Sequence, residues 1–367
     1  MARPFTFSCD AHVVEPSDLY LSKLPAGMKK FALHVEQKDG YHLSMCGDTV
    51  VHRMKLPTKG EEDVIRISRK GARDINGRFE DMAADGIDAE LIFPSIALAA
   101  HHVEDPEAEL ATAEIHNDWM WGYFREHLDK FVPTALLPVQ NLSNTVAELK
   151  RAAQIGFTAA MLPAVTPEGV PGYNSDRWDP VFALAGELGI PFCLHTSTGL
   201  KNLVFERGPG GAIYNYTRQM WDAASTITLM TAGGLLDRNP KAQVCFIESG
   251  ASWLAGVAER MDETYHAHQV YVHPKLSRLP SEIVAAQVKC AFQTDRACVL
   301  SRKTLGHQTL LWATDYPHME GTFPHSMEVL NKLFDGVDIS EREKADIVGG
   351  TAARLFRLRR PEFMAAA

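Results

Sequence analysis

TAAMLPAVTPEGVPGYNSDRWDPVFALAGELGIPFCLHTS, residues 158–197, decides the fold. It opens on a short apolar run, TAAML (158–162), and closes on another, IPFCLH (190–195). Between them SDRWDPVFALAGELG starts at a capping serine, Ser175, and stops at Gly189, the start and stop signals of a helix. Strand, helix and strand within one stretch make a βαβ unit, and such units build parallel sheets. The same texture continues in both directions. AELIF (89–93), VPTALL (132–137), AQVCFIE (242–248), VKCAFQ (288–293) and TLLWATD (309–315) are further strand-length runs. FTFSCD (5–10) in front of them makes eight. GRFEDMAADGID (77–88) and AELATAEIHNDWMWGYFREHLDK (108–130) read as helices between the runs. So does LSNTVAELKRAAQIG (142–156), with Ser143 at its start and Gly156 at its end.

Eight strands alternating with helices allow a doubly wound sheet or a closed (β/α)8 TIM barrel. No G-x-G-x-x-G turn follows any run, so the dinucleotide-binding version of the open sheet has no support. The barrel fits the count. It needs about 250 residues, so this chain of 367 carries insertions on a single barrel domain spanning 1–367. Residues 30–75 are the predicted insertion after the first strand. FALHVEQKDGYHLSMCGDTVVHRMK (31–55) alternates and has Asp-Gly and Gly-Asp turns, so it reads as small hairpins. KGEEDVIRISRKGARD (59–74) reads as a charged surface loop.

A formal net charge of −9 with no long basic run argues against nucleic acid as a partner. No run of 18 apolar residues predicts a membrane span, and the N-terminus lacks a secretory pattern. Six scattered cysteines form no C-x-x-C pair and read as reduced thiols of a cytoplasmic protein. The expected partner is a small-molecule substrate. The segment IYNYTRQMWDAASTITLMTAGGLL (213–236) is apolar on several faces. It suits an ordinary barrel helix or a subunit contact, and a homo-oligomer, with a dimer favoured, is expected.

Barrel chemistry sits at the C-terminal ends of the strands. The first run leads to Asp10 and His12, the fifth ends at His195, the sixth at Glu248 and the eighth at Asp315. Asp10 and His12, two apart, share one strand face with Thr6 and Ser8, while Phe5, Phe7 and Cys9 share the other. Taken alone, the pair suits a metal ligand or a capping acid beside a structural histidine. Ionisable groups ending four of eight strands on one rim are costly unless they share a partner, and a divalent cation, Zn²⁺, Mn²⁺ or Fe²⁺, is the simplest one.

DAHVVEP near the N-terminus, the His of CLHTS, FIESG with its following Trp and ATDYPH together resemble the amidohydrolase superfamily. More narrowly they resemble the branch with aminocarboxymuconate semialdehyde decarboxylase and the dihydroxybenzoate and resorcylate decarboxylases. The resemblance covers roughly residues 5–20 and 76–355. It implies a metal at the C-terminal mouth of the barrel, with His12, His195 and Asp315 as ligands. Asp10 stands where many members have the first His of H-x-H. Two departures stand out. The fourth strand ends in MLPAV, without the lysine that bridges two metals in many hydrolytic members, and Glu248 stands where many members have a His. Both fit a single-metal lyase, or a carboxylate-rich pair of metals bridged by Glu248 or Asp10.

Other residues are read with two roles each. Asp315 is ligand or proton relay. His318 is a proton donor, a ligand of a second metal or a solvent-facing loop residue. Glu15 buttresses the mouth or is a plain loop carboxylate. Trp253 lines the pocket or packs. His101 and His102 are placed on a surface loop, His266 and His268 on a helix surface, and His116 in the core or an interface. The expected function is a metal-dependent C–C lyase, a decarboxylase, or a hydrolase acting on a small carboxylated or aromatic substrate. A non-haem iron oxygenase with one or two irons on the same barrel is the alternative, and a non-catalytic binding barrel the third reading.

Overall fold

The computed structural model describes residues 3–56 and 69–364. Eight parallel strands form the barrel: β1 (Phe7–Val13), then, after an inserted sheet, β5 (Ala89–Pro94), β6 (Phe131–Leu136), β7 (Ala159–Pro163), β8 (Phe192–His195), β9 (Val244–Ile247), β10 (Val288–Phe292) and β11 (Leu310–Trp312). Each pairs with the next in that order. The ends meet where His12 N–H donates to the Tyr316 carbonyl (2.6 Å) and Asp315 N–H to the Asp10 carbonyl (2.9 Å), which nearly closes the barrel. Helices lie between the strands, as the periodicity predicts. Ile75–Asp85 is capped by Asp74, which accepts from Gly77 N–H, and ends at Gly86 with φ of +75°. The helix Leu142–Ile155 is capped by Asn141, one residue before the Leu142 start and two before Ser143.

Two apolar layers hold the fold. Leu91, Met161, Cys193, Cys245, Ala291 and Leu311 fill the barrel, and Ile92, Leu162, Leu194, Phe246 and Trp312 meet the helices outside. Alternate residues of each strand serve alternate layers. In β1 the alternation breaks. Ser8 pairs with Glu90 and Ala11 with Ile92, so Cys9 and Asp10 together face Leu91 alone. This bulge corrects the parity expected from the sequence. Phe7 and Cys9 join the inner cluster, Ser8 bonds Thr314 across the barrel seam (2.8 Å), and Asp10 and His12 reach the rim from within the strand rather than after it.

The insertion is a three-stranded antiparallel sheet, β2 (Leu33–Lys38), β3 (Tyr41–Cys46) and β4 (Thr49–Lys55). Most of the predicted charged loop lies outside the described residues. In its described part Arg69, Lys70 and Arg73 are exposed as expected, while Gly71 and Ala72 are buried and the Ala72 carbonyl accepts from Val14 N–H (2.8 Å). No described helix is long and apolar enough to cross a membrane.

Candidate metal centre

His12 and His195 come from strands on opposite parts of the barrel, yet their Nε2 atoms lie 3.2 Å apart. Each ring is locked by its other nitrogen, His12 Nδ1 donating to the Pro94 carbonyl (2.9 Å) and His195 Nδ1 to the Thr196 carbonyl (3.0 Å). In their neutral forms, rings so held would aim two Nε2 lone pairs at one point. Asp10 Oδ1 lies 3.3 Å from His12 Nε2 and 3.5 Å from His195 Nε2, and Asp315 Oδ1 is 3.5 Å from His12 Nε2. All four side chains are at most 1 % exposed. Both Asp10 oxygens and Asp315 Oδ2 are buried without a hydrogen-bond donor among the described residues. Buried carboxylates without donors are costly, and lone pairs converging from imidazole and carboxylate are the donor set of a divalent cation. The residues therefore fit the cation that the sequence anticipates.

The backbone is strained to make this rim. Ser197, Glu248 and Asp315, just past β8, β9 and β11, have φ of +64°, +61° and +55°. Such conformations cost about 1–2 kcal/mol for residues with a Cβ. Beyond His195, Gly199 turns with φ of +88°, where a Cβ would lie 1.6 Å from the Val165 carbonyl oxygen. Arg78 braces the rim from behind. It pairs with Glu90 (2.7 Å), donates to the His12 carbonyl (2.5 Å) and stacks on Tyr316, all out of solvent.

Electrostatics separates the groups. Burial pushes the His12 imidazole down to about 4. Burial also opposes charge on His195, but the Asp10 carboxylate beside it raises it to about 9. Asp10 would be raised by burial, yet His195 and His12 hold it well below the usual range. Burial raises Asp315 and Glu248.

Glu248 stands apart from the Asp10–His12–His195 group. Its oxygens accept from Thr196 Oγ1 (2.9 Å) and Tyr216 OH (3.2 Å), and it groups with Asp315, His318 and Glu320, whose ligand atoms lie within 4.8 Å of one another. His318 Nδ1 is 2.8 Å from Asp315 Oδ1, and its ring packs 4.2 Å from that of His12. It faces a cavity of about 990 Å³ rather than the outer surface.

Glu15 is a buttress of backbone, not of the ligands. Its buried carboxylate accepts from the amides of Ser95, Ile96 and Ala97 (2.8–2.9 Å) and fixes the turn after β5. Trp253 does not line the cavity. Its indole donates to the Ser249 and Gly250 carbonyls and its ring packs on Phe246, so the pocket role is corrected to packing behind β9. His101 and His102 line the cavity instead of a surface loop, and burial pushes His101 down to about 3. His116 is buried and bonds the Tyr20 hydroxyl (3.0 Å), while His266 and His268 are exposed.

Sequence reasoning missed Tyr216, Gln219 and Glu320. Gln219 donates to Ser197 Oγ (2.9 Å), so Tyr216 and Gln219, three apart on the helix Gly211–Ala232, present one face to the rim. That spacing is visible in the sequence, but the direction of the face is not.

A parallel barrel with histidines and carboxylates gathered at its C-terminal mouth defines the architecture of metal-site hydrolases and lyases. The amidohydrolase family model matches residues 9–358, and the chain belongs to that family. It is similar to 2-amino-3-carboxymuconate-6-semialdehyde decarboxylase of Dictyostelium discoideum, 22% identical over 291 residues, 77% of this chain and 76% of the relative. It is also similar to gamma-resorcylate decarboxylase of Rhodococcus jostii (strain RHA1), 25% identical over 280 residues, 72% of this chain and 82% of the relative. Two solved structures share the fold. An amidohydrolase from Mycobacterium avium subsp. paratuberculosis K-10 superposes with a TM-score of 0.78 at 18% identity, over 97% of this chain and 98% of the other. A dihydroxybenzoic acid decarboxylase from Polaromonas sp. JS666, with bound manganese and the inhibitor 2-nitroresorcinol, gives 0.69 at 19% identity over 99% of each chain.

Proposed function

We propose that this amidohydrolase-family enzyme is a metal-dependent decarboxylase of a carboxylated aromatic substrate. The observation that carries the reading is the convergence of Asp10, His12 and His195 on one point, with Asp315 Oδ1 3.5 Å from His12 Nε2 and with buried carboxylate oxygens that lack donors among the described residues, at the floor of a large cavity. These four residues would hold the cation, Mn²⁺, Zn²⁺ or Fe²⁺. When bound, it supplies Lewis-acid charge that anchors and polarises substrate oxygens. Glu15 keeps the turn after β5 in place. As the bond between ring carbon and carboxylate breaks, its electron pair stays on the carbon, carbon dioxide leaves, and His318 gives the carbon a proton. Asp315, 2.8 Å from His318, orients that imidazole. The named relatives are decarboxylases or carry only the family name, and they lend no support to the oxygenase alternative.

The test is carbon dioxide release from a panel of hydroxybenzoic acids by Mn²⁺-loaded protein, with deuterium from D₂O entering the vacated ring position. Oxygen uptake without carbon dioxide release would overturn the reading. Dimerisation is part of the proposal and is checked by light scattering.

A second reading of the cation count has its own observation. Four carboxylates, Asp10, Glu248, Asp315 and Glu320, meet around three imidazoles, and Asp315 belongs both to a group with His12 and to a group with Glu248 and Glu320. In this reading Asp315 would help hold both cations and His318 would be a ligand rather than the acid. Two equivalents of bound Mn²⁺, falling to one in Glu320→Gln, would select it, and one equivalent in both proteins would select the single-cation reading.

A further inference from the structure

The cavity is far larger than a single-ring acid needs. At about 990 Å³ it stands at the upper end of pockets that enclose drug-sized ligands. A share of about 30 Å³ for each water makes it room for roughly thirty waters. Its floor is the rim, with His195, Glu248 and His318. Its far wall is the inserted sheet. Val35 and Gln37 of β2, His42 and Ser44 of β3 and His52 and Met54 of β4 all line it.

These six residues form one face of that sheet. Val35 pairs with Ser44, Gln37 with His42, His42 with Met54 and Ser44 with His52. Side chains at directly paired positions project to the same side of a sheet. Val51 also lines the cavity, and the register shift after Ser44 leaves it as the extra residue that restores the alternation. The face is therefore built toward the barrel mouth. It offers hydrogen-bonding groups, two imidazoles, an amide and a hydroxyl, with Arg73 beside His42. The rest of the lining sets apolar residues, Val14, Ile96, Leu98, Trp119 and Leu203, beside polar ones such as His101, His102 and Tyr123.

We propose that the inserted sheet is a second recognition site, and that the substrate is an elongated molecule. One end carries the carboxylate lost at the rim, an apolar middle crosses the barrel mouth, and an oxyanion at the far end, such as a second carboxylate, is held by His42 and His52. The inference rests on the decarboxylase reading for what happens at the rim. Its own content is the far-end oxyanion.

The test uses Mn²⁺-loaded protein and a matched pair of ligands. One is 2,6-dihydroxybenzoate. The other is the same ring extended through an aryl ether to a terminal carboxylate. Isothermal titration should show the extended compound binding at least about tenfold more tightly, the worth of one or two charge-assisted hydrogen bonds. The double variant His42→Ala/His52→Ala should reduce that advantage to less than twofold and leave the single-ring affinity unchanged. His52→Asn, which keeps a donor, should restore part of it. Equal affinity for the two ligands overturns the proposal, and so does a variant that weakens both alike. Release of carbon dioxide from the single-ring acid with no advantage for the extended one sinks the second site and spares the decarboxylase. A histidine-dependent advantage without carbon dioxide release does the reverse.

Discussion

Two pairs of histidines face the same cavity, and they are built differently. His12 and His195 sit on barrel strands, are almost wholly buried, and have one nitrogen each fixed on a backbone carbonyl. His42 and His52 sit on the inserted sheet, open to the cavity, and no ring hydrogen bond to a backbone carbonyl holds them among the described residues. The rim pair has no freedom to adapt and the sheet pair has some. Groups that hold a cation need fixed geometry, and a wall that recognises a ligand tolerates adjustment. Under the proposed function the difference separates where chemistry would be done from where substrate would be chosen, and it can be broken experimentally at either end.

The largest effect belongs to the rim. His195→Ala and His12→Ala should each lose bound metal and lower kcat/KM at least about 10³-fold, since the lost charge stabilisation is worth several kcal/mol. Metal analysis beside steady-state kinetics checks both. A variant that keeps its metal would return that histidine to a structural role and erase the contrast with the sheet.

Next comes the brace behind the rim. Arg78→Met leaves Glu90 buried without its cation and frees the His12 carbonyl. Breaking one side of a buried pair costs about 3–5 kcal/mol, which urea unfolding should show. The double variant Arg78→Met/Glu90→Leu should recover much of that stability but not the activity, because the strand carrying His12 stays unbraced.

A third test uses protons. His116, beneath the mouth and bonded to Tyr20, is pushed down to about 3 by burial. Its ring is neutral in the fold, whereas the unfolded chain takes up a proton below about 6.5. Between those values the unfolded state holds more protons, so stability falls as pH falls. At pH 5 the loss from this one group is about 2 kcal/mol. In His116→Gln the drop in unfolding free energy from pH 7 to pH 5 should shrink by that amount. An unchanged drop would mean that the ring takes up its proton in the fold as readily as in the unfolded chain.

The same contrast explains what the sequence made legible. Barrel strands are apolar runs because both faces are buried, so their ends, and with them His195, Glu248 and Asp315, could be read directly. Asp10 was found for a reason that only partly held. Strict alternation would have put Phe7 and Cys9 outside, and the bulge beside Cys9 cannot be read from residue types. Tyr216, Gln219 and Glu320 reach the site from a helix and a loop whose orientation is set by tertiary packing. Trp253 misled because an indole near a rim strand is equally suited to lining and to packing. His42 and His52 gave no signal at all: imidazoles on an alternating hairpin look the same whether they face solvent or a cavity.

The smallest effect belongs to the sheet pair and bears most on the division of labour. His52→Ala and His42→Ala remove a donor from a wall that touches no ligand atom at the rim. A hydrogen bond of this kind is worth about 1 kcal/mol, which corresponds to roughly a fivefold rise in KM for a substrate long enough to reach it. Because the bond is the same before and during the chemical step, kcat should stay within about twofold. Bound metal should be unchanged, and so should the unfolding midpoint, since neither residue belongs to the buried apolar clusters. Short substrates should not sense either change. If kcat falls instead with KM held, the sheet takes part in the transition state, and the rim can no longer be treated as the whole of the catalytic machinery.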